Sequence, residues 1–233
     1  MASKDERYVS GVKTEVAVAR IRERVASLLV DLSRRGLVSA TLCERVPDAD
    51  FFVTRPADAD DDLAPERMMV LTLAGIPVAG TPGEGGARPA DVALYATVLR
   101  ELPDTMALVH LETGHAAAWA ARGQEIPCVT AQSAREFGGT VPVLAGPRVD
   151  PAALVEALRG DGASVVLVAG LGAFCAAGSA REAARVAQVL EGVARTAALA
   201  AVGGHTEPLS PETIADLSGR ARDLREPITD GRR

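Results

Sequence analysis

Aromatic residues are scarce in this chain: Phe, Trp and Tyr together make up 3% of its 233 residues. A core must therefore be assembled from Ala, Val and Leu through many small contacts. Long apolar runs are missing too. The most apolar stretch, residues 165–177, falls short of the roughly 20 residues a membrane span needs, and glycine interrupts it. There is no basic excess: the formal net charge of −6 excludes a broad cationic field for nucleic acid or anionic membrane. The opening MASKDERYVSGV lacks the apolar core of a secretion signal. Cysteine is rare, and Cys43, Cys128 and Cys175 stand far apart without zinc-knuckle spacing. They read as free or buried thiols in a reducing cytoplasm.

Apolar residues nonetheless form 48% of the chain, enough for one large α/β domain. Val16, Val18, Ile21, Val25, Leu28, Leu29 and Leu32 predict a helix over 12–35, closed by Arg34-Arg35-Gly36. Strand-like segments follow at 38–46, 50–56 and 68–73, the last turning back at Gly75-Ile76-Pro77. A helix is expected from Val92 to Leu102, then a buried strand at 106–110 and a helix over 113–122. Short extended pieces are read at 127–130 and 140–144. Asp150-Pro151 starts a helix running to Arg159, residues 164–170 form the strongest buried strand, and Ser179 caps a long helix over 180–201. Ser210-Pro211-Glu212 begins a last one. No linker divides the chain. The expectation is an N-terminal arm (1–13), one domain (14–224) and a disordered tail (225–233), the domain being a mixed sheet with helices on both faces. The Gly-rich 81–89 segment does not read as a phosphate loop, because no strand feeds a helix opening with Lys-Ser/Thr.

Four segments, in order, carry a family resemblance. GLVSAT (36–41) resembles the opening turn after helix one of the class II aldolase/adducin family. DLAPERMMVLTLAGIPVAG (62–80) resembles its Leu-Thr-Pro-Glu, strand and Gly-turn stretch. LYATVLRELPDTMALVH (94–110) resembles its helix, Pro-Asp turn and histidine-ended strand, and residues 166–195 its buried strand, active-site turn and long helix. The resemblance covers about residues 14–215. It implies a three-layer α/β/α fold with a mixed, mostly antiparallel central sheet, and a four-fold homotetramer with pockets between subunits.

The resemblance further implies a divalent metal on a His-X-His pair and a third His, with an upstream catalytic Glu, polarising a carbonyl. Here the pair reads His110-Leu111-Glu112, and the third position is Leu171, which cannot ligate. Counting back without gaps puts Asp91 at the catalytic carboxylate, with Glu84 as the alternative if the loop is shifted. His110, Glu112 and Asp91 would make a harder ligand set than zinc favours. The expectation is a site with no cofactor, a divalent Mn, Fe or Zn ion on those three residues being the alternative. The phosphate motifs also differ: Leu42-Cys43-Glu44, Thr54-Arg55-Pro56 and Pro89-Ala90 stand in their places. Glu44 adds an anion where a phosphate would sit, so the expected substrate is a small non-phosphorylated carbonyl compound.

The expected catalytic residues are thus His110, Glu112, Asp91 and His115, the last near a helix N-terminus where an imidazole stays neutral. Glu44, Thr54, Arg55 and Leu171 are expected at the substrate, and Arg55 can bind a carboxylate bidentately. His205 lies in a loop that, by the resemblance, approaches a neighbouring site. Cys43, Cys175, Trp119 and Tyr95 read as packing or interface residues, and Asp58–Asp62 as a solvated acidic loop. The expected function is a lyase or isomerase, in specialised biosynthesis. The alternative is a non-catalytic binding or scaffold protein on the same fold, as in the adducin head.

Overall fold

The computed structural model describes residues 12–59, 62–81, 84–160, 164–204 and 206–225. Residues 1–11 of the expected arm, the tail beyond Arg225 and His205 lie outside these residues, and α1 takes up the arm's last two positions. Among them are seven strands, β1 (Thr41–Arg45), β2 (Phe51–Thr54), β3 (Met69–Thr72), β4 (Ala107–Leu111), β5 (Val143–Leu144), β6 (Ser164–Val168) and β7 (Gly172–Ala177). They form one sheet in the order β3-β2-β1-β4-β7-β6-β5. Every neighbouring pair is antiparallel except β5 with β6. The helices are α1 (Val12–Arg34), α2 (Val92–Glu101), α3 (Gly114–Ala121), α4 (Ala131–Phe137), α5 (Pro151–Leu158), α6 (Ala180–Val202) and α7 (Pro211–Arg225), with a 3₁₀ turn at Pro65–Arg67.

Two cores follow from the alternation of strand side chains. On one face, Ile21, Val25, Leu29 and Leu32 of α1 and the alanine-lined stripe of α6 pack on Leu42, Val109 and Cys175. On the other, Tyr95, Val98 and Leu99 of α2 and Leu154 and Leu158 of α5 pack on Cys43, Leu108, Val166 and Phe174. The result is the expected α/β/α sandwich. Alanine is the main filler of α6, which lets that helix lie close to the sheet in a chain with few large side chains.

Two elements depart from the sequence reading. β7 has all six residues buried, because helices cover both of its faces. Its small GAFCAA pattern therefore shows no alternation to read. α4 fills the stretch between two expected extended pieces, for which no element was expected; Thr130 caps it by accepting from the Ser133 amide, and Gly138 ends it at φ 68°. No helix among the described residues is long and apolar enough to cross a membrane.

Candidate functional site

Thr41, at the start of β1, pairs with His110 near the end of β4, and His110 pairs on its other side with Phe174 of β7. All three side chains face the α2 side of the sheet by the same parity. The imidazole stacks on the Phe174 ring, centroids 4.2 Å apart and planes 9° apart, and is 1% exposed. Asp91 sits at the N-cap of α2, yet its carboxylate makes no capping bond. It approaches His110 Nδ1 at 3.9 Å instead. Glu112 follows β4 and completes the group: one ligand atom each from Asp91, His110 and Glu112 lies within 4.8 Å of the others. Asp91 and Glu112 border a cleft of about 740 Å³ whose walls also include Thr41, Arg55, Pro56, Pro89 and Tyr95, and His110 lies buried behind it.

Tyr95 is a member of this site that the sequence reading assigned to packing. It is 2% exposed, but its hydroxyl lies 2.7 Å from His110 Nδ1. The signal was present: Asp91 and Tyr95 are four apart on one helix, hence on one face. The other ring nitrogen, Nε2, lies 3.1 Å from the Leu171 carbonyl oxygen. A carbonyl oxygen can only accept, so Nε2 carries the proton and donates. Nδ1 then accepts from Tyr95 when the ring is neutral. Burial holds the His110 pKa below the ordinary histidine value, against the upward pull of Glu112, the Leu171 carbonyl and Asp91. Burial also pushes the Tyr95 phenol up, with Cys43, Asp91 and Glu112 adding to it and Thr41 opposing. Both effects favour the protonation states that the two hydrogen bonds require.

Among the described residues Asp91, His110 and Glu112 are the one group close enough to serve a metal ion. As arranged they do not fit one. Nε2 is protonated and spent on Leu171, and Nδ1 has the Tyr95 hydroxyl on its lone pair. Ligation through His110 would have to break one of these buried bonds.

Other expected site residues are placed elsewhere. Glu44 shares the parity of Leu42, so it points to the α1 face, where Arg24 Nε and Nη2 donate to its carboxylate at 2.6–3.0 Å. It does not line the cleft. Thr54 is fully buried and its Oγ1 accepts from the Cys43 thiol at 3.3 Å. Burial pushes that thiol up to about 12, which removes it as a nucleophile. Arg55 does line the cleft, and its Nη1 donates to the Val38 and Ala40 carbonyls at 3.3 and 3.4 Å, fixing one rim. Leu171 contributes its backbone oxygen to His110, while its side chain packs with the α2-side core. Glu84 is exposed and accepts from the Gly80 amide at 2.8 Å, which leaves Asp91 as the upstream carboxylate.

His115 is also turned away. Its Nδ1 and backbone amide both lie 2.6 Å from Glu191 Oε1, and the Ala116 amide donates to Oε2 at 3.0 Å. A carboxylate from α6 thus caps α3, whose own N-cap residue Thr113 makes no side-chain cap bond. Glu191→Ala is expected to cost about 1–3 kcal/mol by orphaning these donors. Thermal unfolding would show Tm lowered by about 2–4 °C per kcal/mol. An unchanged Tm would mean that water caps α3 equally well.

A family model described as Class II Aldolase and Adducin N-terminal domain matches residues 18–198. The L-ribulose-5-phosphate 4-epimerase UlaF of Salmonella paratyphi C is 29% identical over 127 residues, 53% of this chain and 54% of that protein. The UlaF epimerase of Salmonella choleraesuis matches to the same extent. The alignment thus spans about half the length of these curated relatives. Among solved structures, L-fuculose 1-phosphate aldolase from Glaciozyma antarctica PI12 has a TM-score of 0.75 at 18% identity, covering 91% of this chain and 85% of that one. An aldolase II superfamily protein from Pseudomonas syringae has a TM-score of 0.76 at 18% identity, covering 88% and 85%. At such identities these structures speak for the fold alone.

Proposed function

The chain belongs to the class II aldolase and adducin N-terminal domain family, and from that premise we propose that it is a lyase or isomerase acting on a small, non-phosphorylated carbonyl compound. The observation that carries this reading is the grouping of Asp91, His110 and Glu112, with both carboxylates on the wall of one cleft. Breaking or re-forming a bond next to a carbonyl needs a base for the departing proton and a donor for the oxygen that gains charge. Asp91 and Glu112 are the bases within reach, and Arg55 on the same cleft wall would supply the donor. His110 is the rigid element between them, held by a stack and two hydrogen bonds. It holds Tyr95, which lines the cleft and against which the substrate's polar end would settle.

The absence of phosphate from the substrate rests on the walls. Pro56 and Pro89 line the cleft and have no N–H to offer a phosphate oxygen. The segment aligned with a phosphate-binding turn, Leu42-Cys43-Glu44, lies buried inside β1. The two epimerases and the Glaciozyma antarctica aldolase named above are sugar-phosphate enzymes by name, so the two classes must be compared directly. Phosphorylated and unphosphorylated hydroxyketones and hydroxyaldehydes would be incubated with the protein in D₂O and followed by proton NMR. Loss of the proton next to the carbonyl, or carbon–carbon cleavage, is expected only with the unphosphorylated set. Asp91→Asn and Glu112→Gln should each slow it by about 10²–10⁴-fold. Preference for the phosphorylated set would overturn the substrate class. Full activity in both variants would remove their catalytic assignment, and inertness toward every compound would favour a binding protein.

A further inference from the structure

His110 has two nitrogens and the protein already uses both. The Leu171 carbonyl takes the Nε2 proton at 3.1 Å, and the Tyr95 hydroxyl occupies the Nδ1 lone pair at 2.7 Å. Rotation cannot offer a different edge, because the ring lies flat on Phe174 at 4.2 Å and is 1% exposed. Tyr95 is equally fixed: it is 2% exposed, on the inner face of α2, where its ring also leans on Phe174 at 6.4 Å. At the turn between β6 and β7, Leu171 supplies a backbone acceptor and no side-chain ligand.

We infer that Tyr95 takes the place on His110 that a metal ion would need, and that the cleft receives a neutral, hydroxyl-bearing carbonyl compound on the Tyr95 oxygen instead of on a metal. The substrate half of this inference rests on the function proposed above. The hydrogen-bond half stands on geometry alone. The single phenolic proton is directed at Nδ1 and the Thr41 hydroxyl hydrogen-bonds to the same oxygen, so one Tyr95 lone pair remains as an acceptor on the cleft wall. Asp91 and Glu112 line the same cleft with two carboxylates. Three acceptors grouped in this way match a ligand rich in hydroxyl donors and repel one that brings an anion to the same spot. Tyr95 is then a positioning residue for His110 as well as a contact for the substrate.

The test uses tag-free, full-length protein, wild type and Tyr95→Phe, with ¹⁵N-labelled histidine. His110→Ala would assign the His110 signals among the three histidines of the chain. Each protein would be titrated with Mn²⁺ and Zn²⁺ alone, followed by calorimetry and by the imidazole nitrogen shifts. The wild type is expected to show a neutral His110 protonated on Nε2, unchanged by either ion, and to keep no stoichiometric metal after desalting. Tyr95→Phe should free Nδ1 and bind Zn²⁺ about 5- to 100-fold more tightly than wild type. One ion per chain in the wild type, lost in His110→Ala, would overturn the inference, as would a His110 protonated on Nδ1. Equal metal affinity and identical His110 shifts in wild type and Tyr95→Phe would also overturn it. If Tyr95→Phe does not fold, the wild-type titration and tautomer decide. None of these readouts needs turnover, so failure of the proposed function and failure of this inference are separable.

Discussion

Gly172→Ala is expected to remove about 3–5 kcal/mol of stability, from backbone strain and overpacking together. Gly172 opens β7 at φ +125°, and a Cβ there would lie 2.1 Å from the Leu111 carbonyl oxygen and 3.3 Å from the Glu112 Cα. Both contacts are backbone, so no side chain can rotate aside. Relief requires β4 and β7 to separate where the Leu171 carbonyl meets His110 and where Glu112 leaves the sheet. For a chain of this size the Tm should fall by about 2–4 °C per kcal/mol, so by roughly 10 °C in total. Gly80→Ala is the matching control. Its φ is +73°, but nothing lies within 4 Å of a new Cβ. It should cost only the left-handed penalty, about 1–2 kcal/mol. Similar Tm losses in the two variants would show that the close approach at Gly172 is not what matters.

Arg24→Ala is expected to cost about 2–3 kcal/mol near neutral pH, by leaving the Glu44 carboxylate without its partner. That is below the range for a fully buried pair, because Arg24 is 38% exposed and water can follow it in, while the Glu44 side chain is 9% exposed. Burial is the largest influence on Glu44 and holds its pKa above the ordinary 4.5, with Arg24 pulling it back down. Removing Arg24 deletes only the downward influence. The folded protein then binds the Glu44 proton more tightly than the unfolded chain does. Stability from that proton is complete below about pH 4.5 and is lost as pH rises through the folded pKa. The gap in Tm between wild type and Arg24→Ala should therefore widen from acid to neutral pH. A gap that is constant with pH would mean that lost packing of the Arg24 stem, not the carboxylate, sets the cost.

These residues also show how far the sequence could be read. His110, Glu112 and Asp91 were legible because strand parity and a gapless count place them on one side of one strand end. The same parity, applied to β1, separates Glu44 and Leu42 from Cys43 and so argues against Glu44 as a cleft residue. Tyr95 was obscured because an aromatic on a helix face reads as core, and it is core; only its hydroxyl belongs to the site. Glu191 and His115 could not be paired from sequence, since α3 and α6 are far apart along the chain and meet only through the folded sheet. β7 was hidden by its own burial on both faces. α4 carried a Thr130 cap and a Gly138 stop, but its seven residues are too few for a helical period to stand out.

The two edges of the sheet have a consequence for behaviour at high concentration. β3 ends one side with four residues and has the chain around Pro77 bridged against Leu71. β5 ends the other with two residues, preceded by Pro142 and followed within three positions by Pro147. Neither border presents a long row of open amides and carbonyls for a foreign strand to extend. Growth of one molecule's sheet onto another's is therefore blocked at both ends, and crowded solutions of the native chain should resist β-type fibrils.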